Sequence, residues 1–173
     1  MTKPANRSHS SLFGIAFTVL CIALGGCKEE RPISGKAPMV SLKSYSGETF
    51  TMAGDDRDVT LLVFWATWCQ PCLMEMPSLV KLQGKYKDRN FRVVSINVDD
   101  PEGKKVRSIA RDYGINYHVL VGNEDIMKQF GGVQALPTSF LIGRDGRIRE
   151  KLQGLYPEAH LEKMVQEALA AAD

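Results

Sequence analysis

The sequence predicts an α/β fold: a mixed central β-sheet flanked by helices on both faces, with an N-terminal β-hairpin extension. Three observations predict it. Val59 to Trp65, VTLLVFW, is an almost unbroken apolar and β-branched run, as a strand buried on both faces requires. A second such run, Phe91 to Val98, follows a stretch of helical length and spacing, and strand, helix, strand in that order makes a parallel crossover. Near the C-terminus, Thr138 to Ile142 and Arg147 to Leu152 flank Gly143-Arg144-Asp145-Gly146, a hairpin that adds antiparallel strands at one edge.

Each element has its own signal. Met39 to Leu42 and Glu48 to Thr51 are short β-like pieces around Ser46-Gly47, the expected N-terminal hairpin. After the VTLLVFW strand, Gln70 to Tyr86 carries Leu73, Met76 and Val80 on one helical stripe and Leu79, Leu82 and Tyr86 on an adjoining one. Asp100-Pro101-Glu102 is a helix-start signal, and Val106, Ile109, Ala110 and Tyr113 recur at helical spacing until Gly114. Val119 to Val121 forms a short strand, and Ile126, Met127 and Phe130 mark a short helix stopped by Gly131-Gly132. Leu161, Met164, Val165, Ala168 and Leu169 give a final amphipathic helix after Pro157. The predicted order is β-β-β-α-β-α-β-α-β-β-α, in one domain, as 173 residues and 44% hydrophobic content allow.

The first residues read differently. Lys3 and Arg7 precede an uncharged run of 15 residues, Leu12 to Gly26, the layout of a secretory signal peptide. Crossing a bilayer takes roughly 20 apolar residues in a helix, so the run suits a signal better than a permanent span. It ends in Leu24-Gly25-Gly26-Cys27, which resembles the bacterial lipobox and implies cleavage before Cys27 with lipid on its sulfur. Residues 1–26 are then a lipoprotein signal peptide, 27–37 a lipidated polar tether and 38–173 the folded domain. A short uncleaved anchor is the alternative, and in both cases the domain lies outside the cytoplasm. The tether from Lys28 to Ala37 spans at most about 35 Å when fully extended. Removing residues 1–26 takes away two basic and no acidic residues, leaving 20 Lys+Arg against 20 Asp+Glu. Such a surface has no basic excess to hold nucleic acid.

Of four cysteines, Cys21 falls within the signal and Cys27 is taken by lipid, leaving Cys69 and Cys72 in FWATWCQPC. A pair so close closes too small a loop to stabilise the fold through chain entropy, which argues against a structural staple. The pair sits where a buried strand turns into a helix. Free N–H groups and the helix dipole would stabilise a thiolate at Cys69 there, and Pro71 costs nothing in a first turn. Cys69 can attack a disulfide, and Cys72, one turn further in, can resolve the mixed disulfide.

WCQPC after VFWAT, then Glu75-Met76-Pro77, Leu136-Pro137-Thr138-Ser139-Phe140 and Asp145-Gly146, closely resembles the thioredoxin-like thiol-disulfide oxidoreductases of the TlpA/ResA/DsbE type, here in lipoprotein form. The match runs from about Ala37 to the C-terminus and implies a thioredoxin fold. It implies a cis Leu136-Pro137 bond facing the cysteines, beside which a client strand pairs and presents its cystine to Cys69. Thioredoxin has a buried aspartate on the strand before its motif; the matching residue here is Val63, and Glu75, one turn beyond Cys72, is the substitute proton carrier. Trp68 is expected to cap the disulfide and Trp65 to pack under the loop, while Pro77 kinks the helix.

The expected partners are client protein thiols and disulfides and a membrane electron donor of the thiol-reducing type, with no cofactor beyond the Cys69–Cys72 dithiol; a monomer is expected, although the sequence does not fix the oligomeric state. Gln70-Pro71 adds no positive charge to stabilise a thiolate, which favours a reductant over an oxidase or isomerase. Plausible clients are apocytochrome c or oxidase-assembly proteins. Two other readings stay open. A metal site needs about four ligands, whereas the domain offers two cysteines and His118 and His160 on different elements, and a thioredoxin-like copper carrier has CxxxC with a distant histidine where this chain has CxxC. A lipoprotein using the fold only to bind needs no thiol chemistry at all. A peroxidase would carry its reactive cysteine as Thr-x-x-Cys, which this chain lacks.

Overall fold

The structure, a computed structural model, describes residues 35–52 and 57–171. The segment read as a signal peptide, Cys27 and the part of the segment read as a tether up to residue 34 lie outside the described residues. The elements run β1 Val40–Lys43, β2 Thr49–Met52, β3 Val59–Trp65, α1 Gln70–Tyr86, β4 Phe91–Asn97, α2 Lys104–Asp112, β5 His118–Val121, α3 Glu124–Gln129, β6 Thr138–Ile142, β7 Ile148–Gln153 and α4 Glu158–Ala170. This is the predicted order. Among the described residues no helix is long and apolar enough to cross a membrane.

Five strands form the main sheet in the order β5-β4-β3-β6-β7. β3 pairs parallel with β4 and antiparallel with β6, so it lies at the centre, and every one of its residues is buried. Its alternating side chains divide the core. Val59, Leu61 and Val63 pack with Leu79 and Leu82 of α1 and Leu161, Met164 and Val165 of α4. Leu62 and Phe64 pack on the other face with Phe140, Ile126, Phe130 and the hairpin residues Val40 and Met52. Burying both faces of one strand removes it from solvent entirely, which is why the run had to be continuously apolar.

The β1–β2 hairpin forms its own two-stranded sheet and covers the β5 edge: Tyr45 N–H donates to the Val119 carbonyl at 3.1 Å and Ser44 bridges Leu120. Of the segment read as tether, residues 35–37 lie against the β6–β7 turn. Ala37 N–H donates to Gly146 O at 2.8 Å and Ile148 N–H to Gly35 O at 3.0 Å.

Two expectations need correction. α2 begins at Lys104, not at Pro101: Asp100 folds back so that its Oδ2 accepts from the N–H groups of Lys105 and Val106, and Pro101-Glu102 form the turn before the helix. On α1, Leu73 and Val80 are only partly buried, and the buried stripe is Cys72, Glu75, Met76, Leu79, Leu82 and Tyr86. Pro77 sits inside α1, which continues past it without a break.

Candidate active site

The end of β3 and the start of α1 set the site. Cys69 is the N-cap of α1 in extended conformation (φ −83°, ψ 97°), and its sulfur accepts the N–H of Cys72 at 3.3 Å. Pro71 occupies the first turn, where no donor is lost. Cys69 and Cys72 form a disulfide with Cα atoms 5.3 Å apart, and each is 3% exposed. The helix thus begins on a sulfur, which receives an N–H that the first turn cannot use internally.

Around the pair lies a small apolar cluster of Trp65, Ala66, Met76, Val106 and Val119, against which Leu136 packs. Trp65 packs under the loop as expected. Trp68 is 73% exposed, which excludes a core role and puts its indole on the surface beside Cys69. The Leu136–Pro137 bond is cis, Pro137 is buried, and its carbonyl accepts the N–H of Gly154 at 2.7 Å. Glu75 is 2% exposed, one turn beyond Cys72 on the same helix face. Its Oε1 accepts the Tyr156 N–H at 3.4 Å, while Oε2 is buried with no hydrogen-bond partner among the described residues.

The chain that carries this disulfide at a helix start, the cis Leu136–Pro137 bond and the five-stranded sheet is similar to known proteins over most of its length. The AhpC/TSA family model matches residues 33–151. Thiol-disulfide oxidoreductase ResA of Bacillus thuringiensis subsp. konkukian is 30% identical over 161 residues, covering 88% of this chain and 92% of that protein. The chain belongs to the AhpC/TSA family, as a thiol-disulfide oxidoreductase of the TlpA/ResA/DsbE type. Two more relatives agree. Thioredoxin-like protein YneN of Bacillus subtilis is 34% identical over 130 residues, covering 74% of this chain and 75% of that one. The crystal structure of a thiol:disulfide interchange protein of the thioredoxin family from Chlorobium tepidum TLS superposes with a TM-score of 0.72 at 29% identity, over 79% of this chain and 97% of that one.

In this oxidoreductase the carboxyl of Glu75 is buried one helical turn beyond Cys72. Burial pushes its pKa up to about 7, and the Tyr156 N–H offsets only part of that rise. Tyr117 is the neighbour that sequence reasoning missed: burial and then the Glu75 charge hold its hydroxyl protonated, and that oxygen too has no hydrogen-bond partner among the described residues. The oxidoreductase also holds its active loop through Thr67 and Asp99, which no local pattern singles out because they are 32 residues apart. His118 lies on β5 against the Phe50 ring and His160 on α4 against the Tyr156 ring. Among the described residues no group of three or more His, Cys, Asp or Glu side chains comes together to hold a metal ion.

Proposed function

We propose that this oxidoreductase works outside the cytoplasm as a membrane-tethered reductant of disulfides in client proteins. The observation that carries the reading is the Cys69 sulfur capping α1 and receiving the Cys72 N–H. In the reduced enzyme the same N–H and the helix dipole favour a Cys69 thiolate. That thiolate attacks one sulfur of a client cystine. The client S–S bond breaks, a Cys69–client disulfide forms, and the departing client sulfur takes a proton. Glu75, as carboxylate, then accepts the proton of Cys72, whose sulfur attacks Cys69 and releases the second client thiol. The client gains two electrons and two protons, and the enzyme keeps the Cys69–Cys72 disulfide seen here.

Trp68 and Leu136 supply apolar contact for the client chain. The Pro137 carbonyl is already bonded to Gly154, which leaves the Leu136 main chain to pair with a client strand. Lipid on Cys27 holds the enzyme at the membrane, where a thiol-reducing donor returns the disulfide to dithiol. Gln70 and Pro71 bring no positive charge, which supports the reducing direction. Suitable clients are apocytochrome c or oxidase-assembly proteins, and the enzyme acts as a monomer without further cofactor.

The deciding experiment is the equilibrium reduction potential of the full chain in thiol redox buffers, read by tryptophan fluorescence or thiol alkylation. A potential of about −270 mV supports a reductant; one of about −120 to −180 mV makes the protein an oxidase or isomerase and overturns the direction.

A further inference from the structure

The loop that carries Cys69 is fastened by one carboxylate. Asp99, in the turn after β4, accepts twice from Thr67: the main-chain N–H reaches Oδ1 at 2.8 Å and the hydroxyl reaches Oδ2 at 2.6 Å. The Asn97 amide, 1% exposed, holds Asp99 in turn, donating to Oδ1 at 2.8 Å. Asn97 Oδ1 then accepts the Asp100 N–H at 2.9 Å and the Tyr45 hydroxyl at 3.1 Å. The chain of bonds therefore runs from the N-terminal hairpin, through the end of β4, to the residue two before the attacking cysteine. Val98 N–H to Trp65 O, Cys69 N–H to Ala66 O and Leu73 N–H to Cys69 O, each 3.1 Å, are main-chain ties of the same loop.

We propose that Asp99 is a positioning residue for the dithiol, holding Cys69 through Thr67 so that its sulfur stays beside that of Cys72. Resting on the reductant reading above, this makes the clamp a determinant of reducing power. Closing the Cys69–Cys72 disulfide is an intramolecular step, favoured in proportion to the effective concentration of one thiol at the other. A fastened loop pays little entropy to close. A loosened loop gains conformations in the dithiol that the disulfide denies it, so the dithiol is favoured and the potential rises. The negative charge of Asp99 acts in the same direction, because it disfavours a thiolate two residues from its clamp point. Asp99 exchanges no electrons or protons; it biases the equilibrium in which the dithiol gives two electrons and two protons to a disulfide and becomes a disulfide itself.

The test compares Thr67→Val, Thr67→Ser and Asp99→Asn in the full chain, by the equilibrium constant for oxidation with glutathione and by thermal melting. Thr67→Val removes the hydroxyl donor without touching charge, and losing one such charge-assisted bond should lower the constant about three- to tenfold, tenfold being about 30 mV. Asp99→Asn should lower it at least as much, and Thr67→Ser should match the wild type. A Thr67→Val constant within twofold of wild type overturns the proposal whatever happens to melting, as does a Thr67→Ser constant shifted as far as that of Thr67→Val. A wild-type potential in the oxidant range would defeat the reductant reading, while the clamp would still be judged by the differences among these variants.

Discussion

Tyr156 gives its main-chain N–H to Oε1 of Glu75, tying the loop before α4 to the middle of α1 across 81 residues of sequence. This is the only hydrogen bond among the described residues to a carboxyl that burial raises to about 7. The folded protein keeps that proton over a range in which the unfolded chain, near 4.5, has released it. Stability is therefore full below about pH 4.5 and is lost as pH rises through about 7. The loss is on the order of 3 kcal/mol. Denaturant unfolding of the oxidised protein from pH 4.5 to 8 should show this fall, and Glu75→Gln should flatten it. The same variant should slow resolution by Cys72; an exchange rate that keeps the wild-type profile from about pH 6 to 9 would remove Glu75 from proton transfer.

Cys72→Ser should trap the client. With Cys69 still able to attack and nothing to resolve the product, a Cys69–client disulfide should accumulate and be visible on a non-reducing gel. Cys69→Ser should form no such adduct and retain no reductase activity, although the helix start keeps an oxygen to cap it.

Trp68→Ala should leave stability within about 0.5 kcal/mol, since the ring is largely in solvent. Reduction of a protein disulfide should slow several-fold while reduction of a small aromatic disulfide barely changes. Equal slowing of both would place Trp68 in the chemistry itself.

Gly103→Ala should destabilise the fold by about 1–3 kcal/mol. The residue has φ +70°, and an added Cβ would meet the Tyr45 ring at 2.4 Å. Because Tyr45 bonds to Asn97, chemical denaturation and the glutathione equilibrium should shift together in this variant. A loss of stability with an unmoved equilibrium would separate the hairpin from the active loop.

The parts of this protein that were legible were those written in consecutive residues. β3 and α1 have the limits their sequence suggested, because a strand buried on both faces must be apolar throughout and a helix on the sheet must repeat its apolar face. Glu75 was legible by register, at the step from Cys72 that also brings Met76 and Leu79 inward. The start of α2 was misread because Asp-Pro-Glu imitates a first turn, whereas Asp100 caps the helix from several residues upstream. Thr67 with Asp99, and Tyr117 with Glu75, were hidden for a different reason: the first pair is joined by the β3–β4 register and the second by packing between α1 and the segment before β5, not by spacing along the chain.

The seam between residues 35–37 and the β6–β7 turn sets where the chain enters the described fold. Sheet register puts that turn beside the first residues of β3, while Cys69 follows the last. Seven residues of β3 at about 3.3 Å each separate the two ends by roughly 23 Å. Gly35 therefore lies at the end of the sheet opposite the thiols. The thiols thus face away from the point where the chain enters the described fold, and residues 35–37 leave the Cys69 end of the sheet clear.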